Sequence, residues 1–266
     1  MRKTRLITVF LFVLLAFGFA LAGFLRRQYV APIIMYHSVS PEASIKTMLA
    51  VKPETFERQM AFLKKHKYTV LPLGELAGMI KEKKKLPPRA VAITFDDGYK
   101  NNFTYAFPVL KKYGLAATVF IIVDEVGRSD RLSWEEIKEM QDSGKIYFGS
   151  HCLGPEPLVN IDSEKEIKRQ IAASRQILED RLGKKVTLFS YPEGLFNDKI
   201  RKMVIDAGYE GAVATNPGKD YPDDDVFALK RLRISERAAS MFVFAVETSG
   251  YYTFMKESKR KKNAKK

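Results

Sequence analysis

The sequence predicts an α/β fold, a distorted (β/α) barrel of about seven parallel strands preceded by one N-terminal hydrophobic helix. Three observations lead there. Short runs such as Ala90–Phe95 (AVAITF) and residues 116–123 are apolar but for one threonine each, the pattern of strands covered by helices on both faces. Amphipathic segments with their own start and stop signals separate these runs, and that alternation makes a parallel sheet. Unusual polar residues follow several of the runs immediately, at the strand ends where α/β folds hold their ligands.

Taken in order, residues 32–36 read as a strand, and Pro53–Lys65 as a helix carrying Phe56, Met60 and Leu63 on one face. A strand at 68–71 and a helix at 73–83 follow, and Pro87-Pro88 breaks the chain before AVAITF. Residues 102–113 are helical and closed by Gly114, and 116–123 form another buried strand. Ser133-Trp134-Glu135-Glu136 has the form of a capping box, opening a helix that runs to Asp142 and is ended by Gly144. Further strands fall at 146–149, 186–190, 211–214 and 228–232, with helices at 163–182 and 198–207 between them.

At 266 residues, with 46% apolar and 29% charged, the chain supports one sizeable core. Of the net charge of +14, +5 falls within the first 27 residues and +6 within the last eleven, so +3 is left for the body. A body so nearly balanced argues against nucleic acid as a partner. Three regions follow: 1–27 as membrane anchor or signal peptide, 28–255 as the folded domain, and 256–266 as a basic, disordered tail. Residues 6–25 carry no charge and are long enough to span a bilayer. Ala20-Leu21-Ala22 also fits a cleavage site, so anchor and secretory signal both stand. Either way the domain faces outside the cytoplasm, at the membrane or in the cell envelope. The single cysteine, Cys152, excludes an internal disulfide.

The strand end Asp96-Asp97-Gly98 sets two carboxylates side by side after a buried run. Adjacent like charges there call for a cation between them, an acid/base division of labour, or a plain turn. His37 follows another strand, His151 a third, and Pro192-Glu193-Gly194 a fourth, and in a barrel these ends converge on one face. His66, the third of three histidines, lies at a helix end and reads as a surface residue facing the helix dipole.

These residues resemble a known family. Thr94-Phe95-Asp96-Asp97-Gly98, the stretch from Ser133-Trp134 to His151, and Ser190-Tyr191-Pro192-Glu193-Gly194 are similar to successive motifs of the polysaccharide deacetylases, the metal-dependent carbohydrate esterases of family four. Ile33-Ile34-Met35-Tyr36-His37-Ser38 and Pro53-Glu54-Thr55-Phe56-Glu57-Arg58-Gln59-Met60 resemble the branch that includes the poly-N-acetylglucosamine deacetylases. The resemblance implies a distorted barrel that removes N-acetyl groups from an N-acetylglucosamine-containing polysaccharide. It implies Asp96 as general base and Asp97 and His151 as ligands of a divalent ion, zinc in the usual case. It also implies a backbone amide at Glu193 facing the oxyanion, and Trp134, Tyr191 and Pro192 along the substrate.

The sequence departs from that pattern in four places. Where the family places a second ligating histidine, this chain has Pro155, which leaves Glu156, Cys152, His37 or water as the third ligand. The arginine of the R-x-P-x-G motif is Ser190, and the aromatic after the proline is Glu193. No histidine stands near residues 229–233, so His37 is the candidate general acid unless it ligates the metal. The alternative reading is an impaired relative that only binds glycans at the cell surface. Which polymer is bound, and in what oligomeric state, is not legible.

Overall fold

The computed structural model describes residues 10–20, 23, 29–46, 48–215 and 224–252. The anchor or signal stretch at 6–25 and the basic tail at 256–266 lie wholly or partly outside them. Among the described residues no helix is long and apolar enough to cross a membrane. The chain divides into two compact units, one made of the two termini and one running from Ala31 to Thr248. In the first, a helix α1 covers residues 10–20, and the Val30 amide donates to the Gly250 carbonyl (2.9 Å).

The second unit is the barrel. Its elements are β1 (Ile33–Tyr36), β2 (Ser38–Val39), β3 (Ala50–Val51), α2 (Pro53–Lys65), β4 (Thr69–Val70), α3 (Leu73–Lys81), β5 (Ala90–Phe95), α4 (Phe107–Tyr113), β6 (Ala117–Ile121), α5 (Trp134–Asp142), β7 (Ile146–Ser150), α6 (Glu164–Leu182), β8 (Leu188–Ser190), α7 (Asp198–Asp206), β9 (Gly211–Ala214), β10 (Leu229–Lys230), β11 (Leu232–Arg233) and α8 (Met241–Glu247). The strands run parallel in the order β10-β9-β8-β7-β6-β5-β1-β11, with β4 beside the start of β5. Only Arg231 separates β10, which pairs with β9, from β11, which pairs with β1. One segment, residues 229–233, therefore closes the sheet on itself.

The expected strand at 228–232 is thus one stave that changes partner at its middle. The expected helix at 102–113 begins as a π-helical turn, Asn102–Ala106, before the α-helical part. The small β2–β3 pair and α8 had no sequence signal. The caps agree with the sequence: the Ser133 side chain accepts from the Glu136 amide while the Glu136 carboxylate accepts from the Ser133 amide, and Gly114 ends α4 at φ 66°.

The period of two along each strand decides what faces the barrel interior. Phe95 turns outward and packs with Tyr36 and the Phe56 ring of α2 (centroids 5.4 and 5.8 Å). Ser150 also turns outward, bonding Ser174 of α6 (2.7 Å), as does Phe189, which meets Tyr209 edge-on. The residues next to them, Asp96, His37, His151 and Ser190, are therefore directed inward.

Candidate active site

A cavity of about 460 Å³ opens at the carboxyl ends of the strands, and His37, Asp96, Asp97, His151, Pro155, Glu193 and Arg233 are among the residues lining it. Three residues beside it that are not glycine adopt left-handed backbone: Asp97 (φ 68°), Cys152 (φ 67°) and Glu193 (φ 55°). Such strain persists where the surrounding structure enforces it, and it concentrates at functional sites. Gly98 (φ 64°) continues the turn after Asp97, and a Cβ there would come within 2.8 Å of Ile121 Cδ1.

Asp96 is buried and clasped by Arg231, whose Nη1 donates to Oδ1 (2.7 Å) and Nη2 to Oδ2 (2.6 Å). Arg231 Nη2 also donates to Ser190 Oγ (3.0 Å), which in turn donates to Asp96 Oδ2 (3.4 Å). Burial alone pushes the Asp96 carboxyl up, but the fields of Arg231, His151 and His37 and the Arg231 hydrogen bonds outweigh it and bring the pKa down to about 2. Asp96 is therefore ionised throughout the neutral range. The sequence reading missed Arg231. Its charge comes from the closing strand, far along the chain, and occupies the space beside Ser190 where the motif's own arginine was expected.

His151 Nδ1 donates to the Ser190 carbonyl (2.8 Å), which fixes the ring and leaves Nε2 facing Asp97 Oδ1 (3.4 Å) and Asp96 Oδ2 (4.0 Å). Burial would lower the His151 pKa, but the two carboxylates and the Ser190 carbonyl raise it overall. His37 is shifted the other way: burial lowers it more than Asp96 and Asp97 restore. Its Nδ1 is buried and unpartnered.

Asp97 and His151 thus present an oxygen and an imidazole nitrogen to one another, with the second imidazole nitrogen tied to a carbonyl as in metal-ligating histidines. This donor pair fits a divalent ion from one side. The third donor is not beside it. Pro155 lines the cavity where a second histidine was looked for, while Glu156 is exposed and absent from the lining. Cys152 is wholly buried in the core. Among the described residues no group of three or more His, Cys, Asp and Glu side chains is placed to hold an ion.

The residues expected along the substrate are distributed unevenly. Glu193 lines the cavity, and Gly194 behind it (φ 74°) packs so closely on Thr215 that a Cβ would lie 2.6 Å from its amide nitrogen. Tyr191 is fully buried, stacked on Phe196 (4.1 Å) and donating to the Phe227 carbonyl (3.0 Å). The alternation that turns Ser190 inward turns Tyr191 back towards the helices. Pro192 is buried beneath the turn, and Trp134 lies under the Arg181 guanidinium of α6 (5.3 Å) at the start of α5, outside the cavity lining.

The chain is similar to known proteins over most of this body. The sequence model described as polysaccharide deacetylase matches residues 83–212. The YxkH protein of Bacillus subtilis (strain 168), named after polysaccharide deacetylases, is 35% identical over 204 residues, covering 77% of this chain and 71% of that one. The poly-β-1,6-N-acetyl-D-glucosamine N-deacetylase of Staphylococcus aureus (strain MRSA252) is 30% identical over 225 residues, covering 80% and 76%. A polysaccharide deacetylase from Bacillus cereus, known by crystal structure, superposes with a TM-score of 0.70 at 34% identity, covering 82% of this chain and 68% of that one. Matched by that sequence model and at least 30% identical to both relatives over more than two thirds of their length, the chain belongs to the polysaccharide deacetylase family.

Proposed function

We propose that this protein is a metal-dependent hydrolase that removes N-acetyl groups from an N-acetylglucosamine-containing polysaccharide at or outside the cell membrane. The observation that carries the reading is the convergence of an arginine-held Asp96 with the Asp97–His151 pair at one cavity. Asp97 and His151 would hold the ion, zinc being suited to one oxygen and one imidazole donor, with water completing the sphere. When bound, such an ion lowers the pKa of water and polarises a carbonyl.

The chain's own groups divide the remaining work. Asp96, ionised and held in place by Arg231 and Ser190, accepts the proton of the attacking water at a carboxylate oxygen. Its low pKa makes it a modest base but keeps it charged at every working pH. The Glu193 amide, on the turn after Pro192, faces the developing oxyanion. His37, at the end of the neighbouring strand β1, once protonated gives that proton to the departing amine and returns to neutral imidazole, because an amide anion leaves too poorly without one. The outward location rests on the uncharged stretch at 6–25 and on the basic residues beside it.

The reading is tested by acetate release from a panel of N-acetylated glycans before and after chelation. Release that is lost with the metal and restored by zinc supports it; release indifferent to chelator contradicts the metal.

A further inference from the structure

Arg233 stands two residues beyond Arg231 on the strand segment that closes the barrel, so the alternation returns its side chain to the same side, one layer nearer the mouth. Its backbone is fixed there: Arg233 pairs with Met35 of β1, and the next amide, of Ile234, donates to the Met35 carbonyl (2.8 Å). Both Arg233 and Met35 line the cavity. Arg231 spends its guanidinium on Asp96, and Asp97 faces His151. Arg233 pairs with no carboxylate and makes no hydrogen bond among the described residues, and it is exposed to the cavity's opening. Glu193, the remaining carboxylate of the lining, does not reach it.

A neutral acetamido sugar offers a guanidinium only uncharged oxygens, whereas a carboxylate matches both its charge and its planar fork of N–H groups. We propose that Arg233 is a carboxylate-binding subsite of this cavity. Two sources present that group, the acetate that deacetylation releases here and a carboxylate carried by the polysaccharide on a sugar next to the one being cleaved. The inference rests on the deacetylase reading for the choice of ligands, but its geometry does not.

The test compares the full chain with Arg233→Gln and Arg233→Lys on two zinc-supplemented substrates. One is a neutral N-acetylglucosamine oligomer, the other a peptidoglycan glycan strand freed of its stem peptides, whose alternate sugars then carry a free lactyl carboxylate. Inhibition by sodium acetate is measured alongside. If the polysaccharide supplies the carboxylate, the ratio of kcat/KM for the acidic strand to that for the neutral oligomer falls about tenfold in Arg233→Gln, with part retained in Arg233→Lys. If acetate is the ligand, its inhibition constant rises about tenfold while the ratio holds. A ratio and an inhibition constant both within twofold of the unmodified protein overturn the subsite. Should the unmodified protein release no acetate from either substrate, the deacetylase reading fails separately. Calorimetric titration of acetate and of the acidic strand into both proteins then decides the subsite: binding weakened by Arg233→Gln sustains it, and equal or undetectable binding removes it.

Discussion

Arg231 clasps both carboxylate oxygens of Asp96, at 2.7 and 2.6 Å, from the one residue that separates β10 from β11. The segment that closes the barrel therefore also supplies the charge that keeps the proposed base ionised and oriented. Breaking a buried pair leaves an uncompensated charge, which costs about 3–5 kcal/mol. Arg231→Met is expected to lose stability on that order in urea unfolding, and at least about a hundredfold in kcat for acetate release. Because Ser190 Oγ lies 3.4 Å from Asp96 Oδ2, an arginine at position 190 can reach the same carboxylate. Adding Ser190→Arg to Arg231→Met should recover part of both losses, and a double variant no better than the single one would show that the closing strand is required.

The depressed pKa of Asp96 also sets a pH dependence. A carboxyl that titrates at about 2 in the folded protein against an ordinary 3.8 adds on the order of 2 kcal/mol of stability. That contribution is complete above the ordinary carboxylate range and disappears as pH falls through about 2. Urea unfolding of the metal-free protein between pH 2 and 6 should show this acid-side loss, and Arg231→Met, lacking the guanidinium, should show a smaller one. Identical pH slopes in the two proteins would mean that Arg231 does not set the Asp96 pKa.

Much of the site was legible because it is local. Asp96, Asp97 and His151 each end a run whose apolar character marks it as a strand, and parallel topology brings such ends together. Arg231 was not legible, because its partner lies 135 residues earlier and nothing in LKRLR distinguishes the arginine that enters the barrel from the one that stays at its mouth. Tyr191 and Trp134 show the opposite error. Both sit where pocket residues are expected, yet the pleat turns Tyr191 onto Phe196, and α5 carries Trp134 towards Arg181. The doubling of 229–233 into two pairings follows from closure of the whole sheet, which no local pattern encodes.

His37 is the imidazole left for proton delivery, and because burial lowers its pKa the protonated ring gives up its proton more readily than an ordinary histidine does. His37→Gln should lower kcat about a hundredfold with little change in KM, since the proton is needed only as the amine departs. A matching rise in KM with kcat preserved would assign His37 to binding instead.

Pro155 lines the cavity, so a ligand placed there can reach the ion that Asp97 and His151 are proposed to share. Pro155→His is expected to tighten zinc binding at least about tenfold by equilibrium dialysis against a competing chelator. Glu156→Ala, at an exposed position outside the lining, should leave zinc affinity as it was. A loss of zinc in Glu156→Ala would restore that residue as a ligand.

The central claim is that Asp96 is the base of a metal-dependent deacetylation. Acetate released from poly-N-acetylglucosamine by the zinc-supplemented full chain, measured beside Asp96→Asn at equal zinc occupancy, tests it most directly. The account predicts release by the unmodified protein and a fall of at least about a hundredfold in Asp96→Asn. Undiminished release by Asp96→Asn would contradict it.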